Sequence, residues 1–215
     1  MTPTAHPLLS SPERDRLGRR ARWLAAASVG YNTVEAVVAL VAGAIAGSVA
    51  LIGFGLDSIV EVSSGLIVLW QFRHRLPASR ERRAQQLMAL AFFGLAAVVT
   101  FEATRALLTG AQPEASPVGV GLAIASLIIM PFLSWAQRRT GRSLGSHAVE
   151  ADGTQTLLCT YMSAALLAGL VLNATLGWAW ADPVAALVIA AIAMREGVQS
   201  WRGHDCCAPA APLRQ

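Results

Sequence analysis

The chain has 215 residues, 54% of them hydrophobic and 14% charged, with a formal net charge of +4 and a mean hydropathy of +0.50. That composition excludes a soluble globular protein. A bilayer core takes about 20 apolar residues per helix, so the length leaves room for at most about seven or eight spans in one membrane domain. All 17 basic residues are arginine, and they sit in short segments between long uncharged runs rather than among stacking aromatics, so no nucleic-acid partner is expected. The cysteines, Cys159, Cys206 and Cys207, are odd in number and irregular in spacing, which is no disulfide framework.

In chain order, residues 1–22 form a basic N-terminal tail carrying Arg14, Arg16, Arg19, Arg20 and Arg22. The apolar run that follows is longer than the hydrophobic region of a secretory signal and has no Ala-x-Ala site, so it reads as a retained helix. Apolar segments cover residues 23–46, 49–72, 87–108, 118–136, about 152–176 and about 178–198. Backbone groups inside a bilayer have no water to bond, so each segment is expected to be helical, and none shows the alternating ten-residue pattern of a β-barrel. The predicted fold is an all-α, six-helix transmembrane bundle over residues 23–200. A short tail, residues 201–215, follows it. Asp182 followed by Pro183 reads as an N-cap with proline at the first helical position, starting the sixth helix there. Gly43, Gly47, Gly65, Gly94, Gly119 and Gly121 are expected to allow close helix packing.

Every arginine but Arg105 falls in the N-terminal tail, the second or fourth connection, or the C-terminal end. The positive-inside rule then places both termini in the cytoplasm. All six tryptophans lie at or near predicted helix ends, where an aromatic belt belongs. Glu102 and Arg105, three residues apart near an outer end, read as a structural ion pair.

Three acids fall near mid-membrane: Glu35, Asp57 and Glu61. A charge there costs about 2.5–3.5 kcal/mol on insertion scales and usually faces a bundle interior or a water path. Asp57 and Glu61, four apart, share one helix face. Two like charges that close repel, and such a pair can trade protons for a divalent metal. Ser28, Asn32 and Glu35 form a polar stripe on the first helix. On the fifth, Gln155 and Cys159 repeat the four-residue spacing. Two donors from each of two facing helices make a four-coordinate site of the kind zinc prefers, and a thiolate beside carboxylates suits zinc or softer ions rather than magnesium. Asp152 lies near the cytoplasmic mouth. In the tail, His204, Asp205, Cys206 and Cys207 offer ligands for cytoplasmic metal capture.

The stretch from Ala46 to Glu61, with Asp57-Ser-Ile-Val-Glu61 at its end, resembles the second-helix signature of the cation diffusion facilitator family of metal exporters, in which two acids four apart bind the transported ion. Asp57 matches the first acid and Glu61 takes the place of the second. Ala151-Asp152-Gly-Thr-Gln155-Thr-Leu-Leu-Cys159 is similar to the fifth-helix signature, with Gln155 and Cys159 standing where the family has His or Asp and then Asp. Asp182-Pro183 and Arg195-Glu196-Gly197 look like its sixth helix.

The resemblance implies a non-enzymatic secondary transporter of a bacterial inner membrane, exporting a divalent transition metal, foremost Zn2+, by proton antiport. The metal is cargo, and no cofactor is expected. Asp57, Glu61, Gln155 and Cys159 are the expected ligands. Asn32, Glu35 and Asp152 are expected to orient ligands or handle protons. The family's C-terminal cytoplasmic domain is expected to be absent, which would leave a homodimer to form through membrane helices, with lipid, metal and protons as the other partners. The alternatives are export of softer ions (cadmium, mercury or copper), a non-transporting membrane partner of another exporter, and transport of an organic cation.

Overall fold

The computed structural model describes residues 11–71 and 78–202. Among them are six α-helices and no strand: α1 (Ser11–Ala46), α2 (Val49–Gln71), α3 (Ala78–Thr109), α4 (Pro117–Leu144), α5 (His147–Leu176) and α6 (Ala181–Arg202). Five of the six are long and apolar enough to cross a membrane. The sixth, α6, carries Asp182, Arg195, Glu196 and Arg202 in its 22 residues. At 1.5 Å per residue it is about 33 Å long, enough to match its neighbours. The chain is therefore an all-helical, multi-pass membrane protein.

The helices run past the apolar segments at their arginine-bearing ends. α1 starts at Ser11, with Pro12 and Glu13 in its first turn, α4 continues to Leu144 and α5 starts at His147. Proline tolerates a first turn because its missing N–H would be unpaired there anyway, and an acid favours the positive end of the helix dipole. Hydropathy marks where a helix enters lipid, not where its hydrogen bonding stops. After the C-terminal ends of α1, α3, α4 and α5, Gly47, Gly110, Gly145 and Gly177 take φ +66°, the left-handed turn that ends a helix and that glycine adopts without strain.

Tight connections make successive helices antiparallel, so Arg138, Arg139 and Arg142 on α4, Arg195 and Arg202 on α6, and the arginines of α1 share one end of the bundle. α1 packs on α2, α3 on α6 and α4 on α5, while α2 also touches α3, α5 and α6 and is the most deeply buried span. All six tryptophans are exposed, Trp23 and Trp135 where the apolar segments of α1 and α4 meet their arginine-bearing extensions and the others at or beside helix ends, as an interfacial belt requires. Glu102 and Arg105 form the expected ion pair, at 3.3 Å on the surface.

Of the glycines expected to admit close packing, three do so. A Cβ on Gly43 would lie 2.9 Å from Ile52 N, one on Gly65 2.6 Å from Val29 Cγ2, and one on Gly119 2.7 Å from Leu51 Cδ2. Gly47 serves instead as the turn after α1, and nothing among the described residues approaches Gly94 or Gly121 within 4 Å. Both of the latter lie on outward faces of their helices.

Asp182 is not the N-cap of its own helix. α6 begins at Ala181 with Val184 N bonded to Trp180 O, which places Asp182 inside the first turn. Its carboxylate caps α2: Oδ2 accepts from Val49 N (2.9 Å) and Ala50 N (3.4 Å), and Oδ1 from Ser48 Oγ (2.5 Å). Ser48 Oγ in turn accepts from Leu51 N (3.1 Å). An Asp-Pro pair suggests a local cap, but the donors that need this carboxylate are the free N–H groups opening α2.

Candidate metal site

The period of 3.6 residues puts Asp57 and Glu61 on the face of α2 that looks toward α5, and Cys159 on the facing stripe of α5. All three are at least 96% buried. Cys159 Sγ lies 3.2 Å from Asp57 Oδ2 and 2.6 Å from Glu61 Oε2, so its one S–H proton can be given to either carboxylate. Glu61 Oε1 is buried and has no partner among the described residues, and Thr156, one position after Gln155, is buried on the same stripe of α5 and donates to Asp152 O at 3.1 Å. Gln155 is half-buried, one turn from Cys159 on α5. The inward stripe of α5 therefore runs Asp152, Thr156, Cys159, Ser163, all buried, with Gln155 at its margin.

A second buried carboxylate lies across α2 from these three. Glu35 accepts a hydrogen bond from Ser58 Oγ at 2.9 Å on one oxygen and from Ser126 Oγ on the other. Ser126 Oγ is also 2.9 Å from the Tyr31 hydroxyl. Ser58 follows Asp57 directly, so α2 presents acids to α5 and a hydroxyl to α1 and α4. On α1, Asn32 Nδ2 donates to Ser28 Oγ at 3.3 Å while its Oδ1 is buried without a partner among the described residues.

The third cluster joins α4 to α5 toward the arginine-bearing end. Gln137 Nε2 donates to Asp152 Oδ2 at 2.7 Å, and Ser134 Oγ to Gly153 O at 2.5 Å. His204, Cys206 and Cys207 lie outside the described residues.

Electrostatically the core is one-sided. The stretches 23–71 and 152–194, which hold Glu35, Asp57, Glu61, Asp152 and Asp182, contain no basic residue. The ion pairs among the described residues, Arg105–Glu102 and Arg142–Glu150, are both at the surface. Buried acids without a basic partner are compensated by protons or by a bound cation.

A thiol and two carboxylates meeting in a buried, cation-poor core form a donor set for a divalent metal. Residues 25–202 match the cation efflux transmembrane domain.

The chain belongs to the cation efflux family.

Among curated relatives of this family member, an uncharacterised transporter of Synechocystis is 28% identical over 179 residues, a match covering 79% of this chain and 58% of that protein. The cation-efflux pump FieF of Yersinia pestis is 30% identical over 192 residues, covering 79% of this chain and 60% of the pump. Transmembrane protein 163 of Xenopus laevis is 25% identical over 162 residues, covering 74% and 58%. The chain spans about three-fifths of the length of these relatives.

Spacing puts Asp57 and Glu61 on one face of α2, and the likeness of residues 151–159 to the family's fifth-helix signature points to Cys159. Neither reveals Ser58, Ser126, Tyr31, Thr156 or Gln137. Each is a lone polar residue in an apolar helix, and its partner lies on another helix, so no periodic signal marks it.

Proposed function

We propose that this cation efflux family member exports a divalent transition-metal cation, foremost Zn2+, from the cytoplasm in exchange for protons. The observation that carries the reading is the Cys159 sulfur within 3.2 Å of Asp57 and 2.6 Å of Glu61, all three buried. A metal binding there takes thiolate and carboxylate ligands, and the thiolate forms only as the thiol proton leaves, so metal uptake and proton release are linked at one atom. Asp57, Glu61 and Cys159 supply three ligands. Gln155, one turn from Cys159, supplies or orients the fourth, in the tetrahedral arrangement zinc favours. Glu35, held by two serine hydroxyls beside α2, handles protons, and Asn32 orients the polar face of α1. The arginine-rich end is cytoplasmic by the positive-inside rule, the lysine-free, arginine-rich composition favours a bacterial inner membrane, and a homodimer forms through the membrane helices.

The sulfur also favours a second substrate range. A soft donor in contact with both acids suits cadmium, mercury or copper(I) better than an all-oxygen site does.

The test is metal flux in proteoliposomes under an imposed pH gradient, with zinc, cadmium, cobalt, iron and manganese ions each compared between the parent protein and Asp57→Ala. Proton-coupled flux lost in the variant supports the reading. Full-rate flux in Asp57→Ala overturns the assignment of the site. No flux of any ion, from folded protein, moves the chain to the role of a partner of another exporter.

A further inference from the structure

Asp152 and Gln137 share a hydrogen bond that uses only half of their acceptors. Gln137 Nε2 donates to Asp152 Oδ2 at 2.7 Å. The other oxygen of each group, Asp152 Oδ1 and Gln137 Oε1, is buried with no partner among the described residues, and the two side chains are 97% and 99% buried. Exchanging the amide oxygen and nitrogen would set oxygen against oxygen, so the orphaned acceptors are not a matter of amide orientation. Two buried acceptors without donors are costly. Each is attached to the same carbon as an atom of the shared bond, so both free acceptors belong to one buried pair.

The position of the pair says what that species serves. Asp152 precedes Cys159 by seven residues on α5, about 10 Å at helical rise, toward the end where α4 carries Arg138, Arg139 and Arg142. Thr156 stands between on the same buried stripe, its hydroxyl donating to Asp152 O at 3.1 Å. Glu61 Oε1, also buried and unpartnered among the described residues, continues the same row of acceptors into the three-ligand site. Two oxygens, one anionic and one from an amide, make a weak site for a still largely hydrated divalent cation. A weak site ahead of a strong one captures without trapping.

We propose that Asp152 and Gln137 form a second cation station, a relay through which the divalent metal passes between the arginine-bearing end and the site of Asp57, Glu61 and Cys159. This rests on reading that site as the transport site.

Two measurements test it with Zn2+ as the probe. Equilibrium dialysis on protein in lipid nanodiscs, with Asp57, Glu61 and Cys159 and the tail residues His204, Cys206 and Cys207 all replaced by alanine, is expected to retain weaker Zn2+ binding that disappears when Asp152→Asn is added. Binding that survives Asp152→Asn overturns the station. In the otherwise intact protein, Asp152→Asn and Gln137→Met are each expected to raise the KM for Zn2+ at least about tenfold with maximal rate little changed, and Gln137→Glu to lower it. If these variants lower maximal rate and thermal stability and leave KM in place, the pair is a structural pin and the proposal fails. Full flux in Asp57→Ala defeats the transport site instead, and the Asp152-dependent dialysis signal is read independently of it.

Discussion

Cys159 Sγ stands 2.6 Å from Glu61 Oε2, joining α5 to α2 at the centre of the bundle. The proton it donates is one that a thiolate-binding metal must displace. Replacing the sulfur with a harder donor is therefore expected to change selectivity more than fold. In Cys159→Asp, flux ratios measured in one vesicle preparation should move toward zinc over cadmium by about tenfold or more, the weight of one soft ligand in a competitive site. An unchanged ratio would remove Cys159 from the ligand set.

Metal affinity is expected to fall as pH falls. Protons and metal compete for Asp57, Glu61 and Cys159, and the metal binds the deprotonated groups. Each proton displaced makes the dissociation constant rise about tenfold per pH unit through the titrating range. Calorimetry of Zn2+ binding in buffers of different ionisation enthalpy counts the protons released. A count of zero would separate binding from protonation and end the antiport reading.

Glu35 is expected to matter to stability as well as to transport. Ser58 and Ser126 both donate to its carboxylate, so Glu35→Gln turns an amide nitrogen toward one hydroxyl donor. A broken buried hydrogen bond costs about 1–3 kcal/mol, on the order of 5 °C in Tm for a chain of this size. Thermal unfolding in detergent reads the shift, and pairing the variant with Ser126→Ala should add less than the sum of the two singles, because they share one network.

Two glycines of α1 make a matched pair. Gly43 faces Ile52 N so closely that a methyl would lie 2.9 Å from it, whereas nothing among the described residues lies within 4 Å of Gly30. Gly43→Ala is expected to push α1 off α2 and lower Tm. Gly30→Ala should raise it slightly, since alanine favours a helix by up to about 1 kcal/mol over glycine.

Asp182→Ala is expected to destabilise by about 1–2 kcal/mol, the value of a lost N-cap, with the loss falling on α2. Hydrogen exchange at Val49 and Ala50 should rise in the variant and remain slow in the first turn of α6. Exchange rising at α6 alone would contradict the assigned cap.

The spans were legible because lipid imposes a length and a polarity that survive in one dimension, and Asp57 and Glu61 were legible because helical spacing places residues four apart on one face; the same spacing paired Gln155 with Cys159, yet Gln155 lies only at the margin of the buried stripe. What sequence could not carry depends on pairs. Asp182 serves donors 133 residues away, so its adjacent proline suggested a cap on the wrong helix. Ser126 acquires a role only beside Glu35, 91 residues distant. The helix extensions of α1 and α4 escaped because arginine and leucine propagate a helix equally well while only one of them registers as apolar.

The Asp182 clamp has a mechanical corollary. One carboxylate binds the first turn of α2 to the first turn of α6 at the end of the bundle remote from the arginines, and Gly169 presses α5 against the same turn of α6. The two helices thus share a fulcrum. Any tilt that opens the arginine-bearing end around Asp57 and Glu61 swings α2 and α6 together as the arms of one lever, with Glu196 carried along on the second arm.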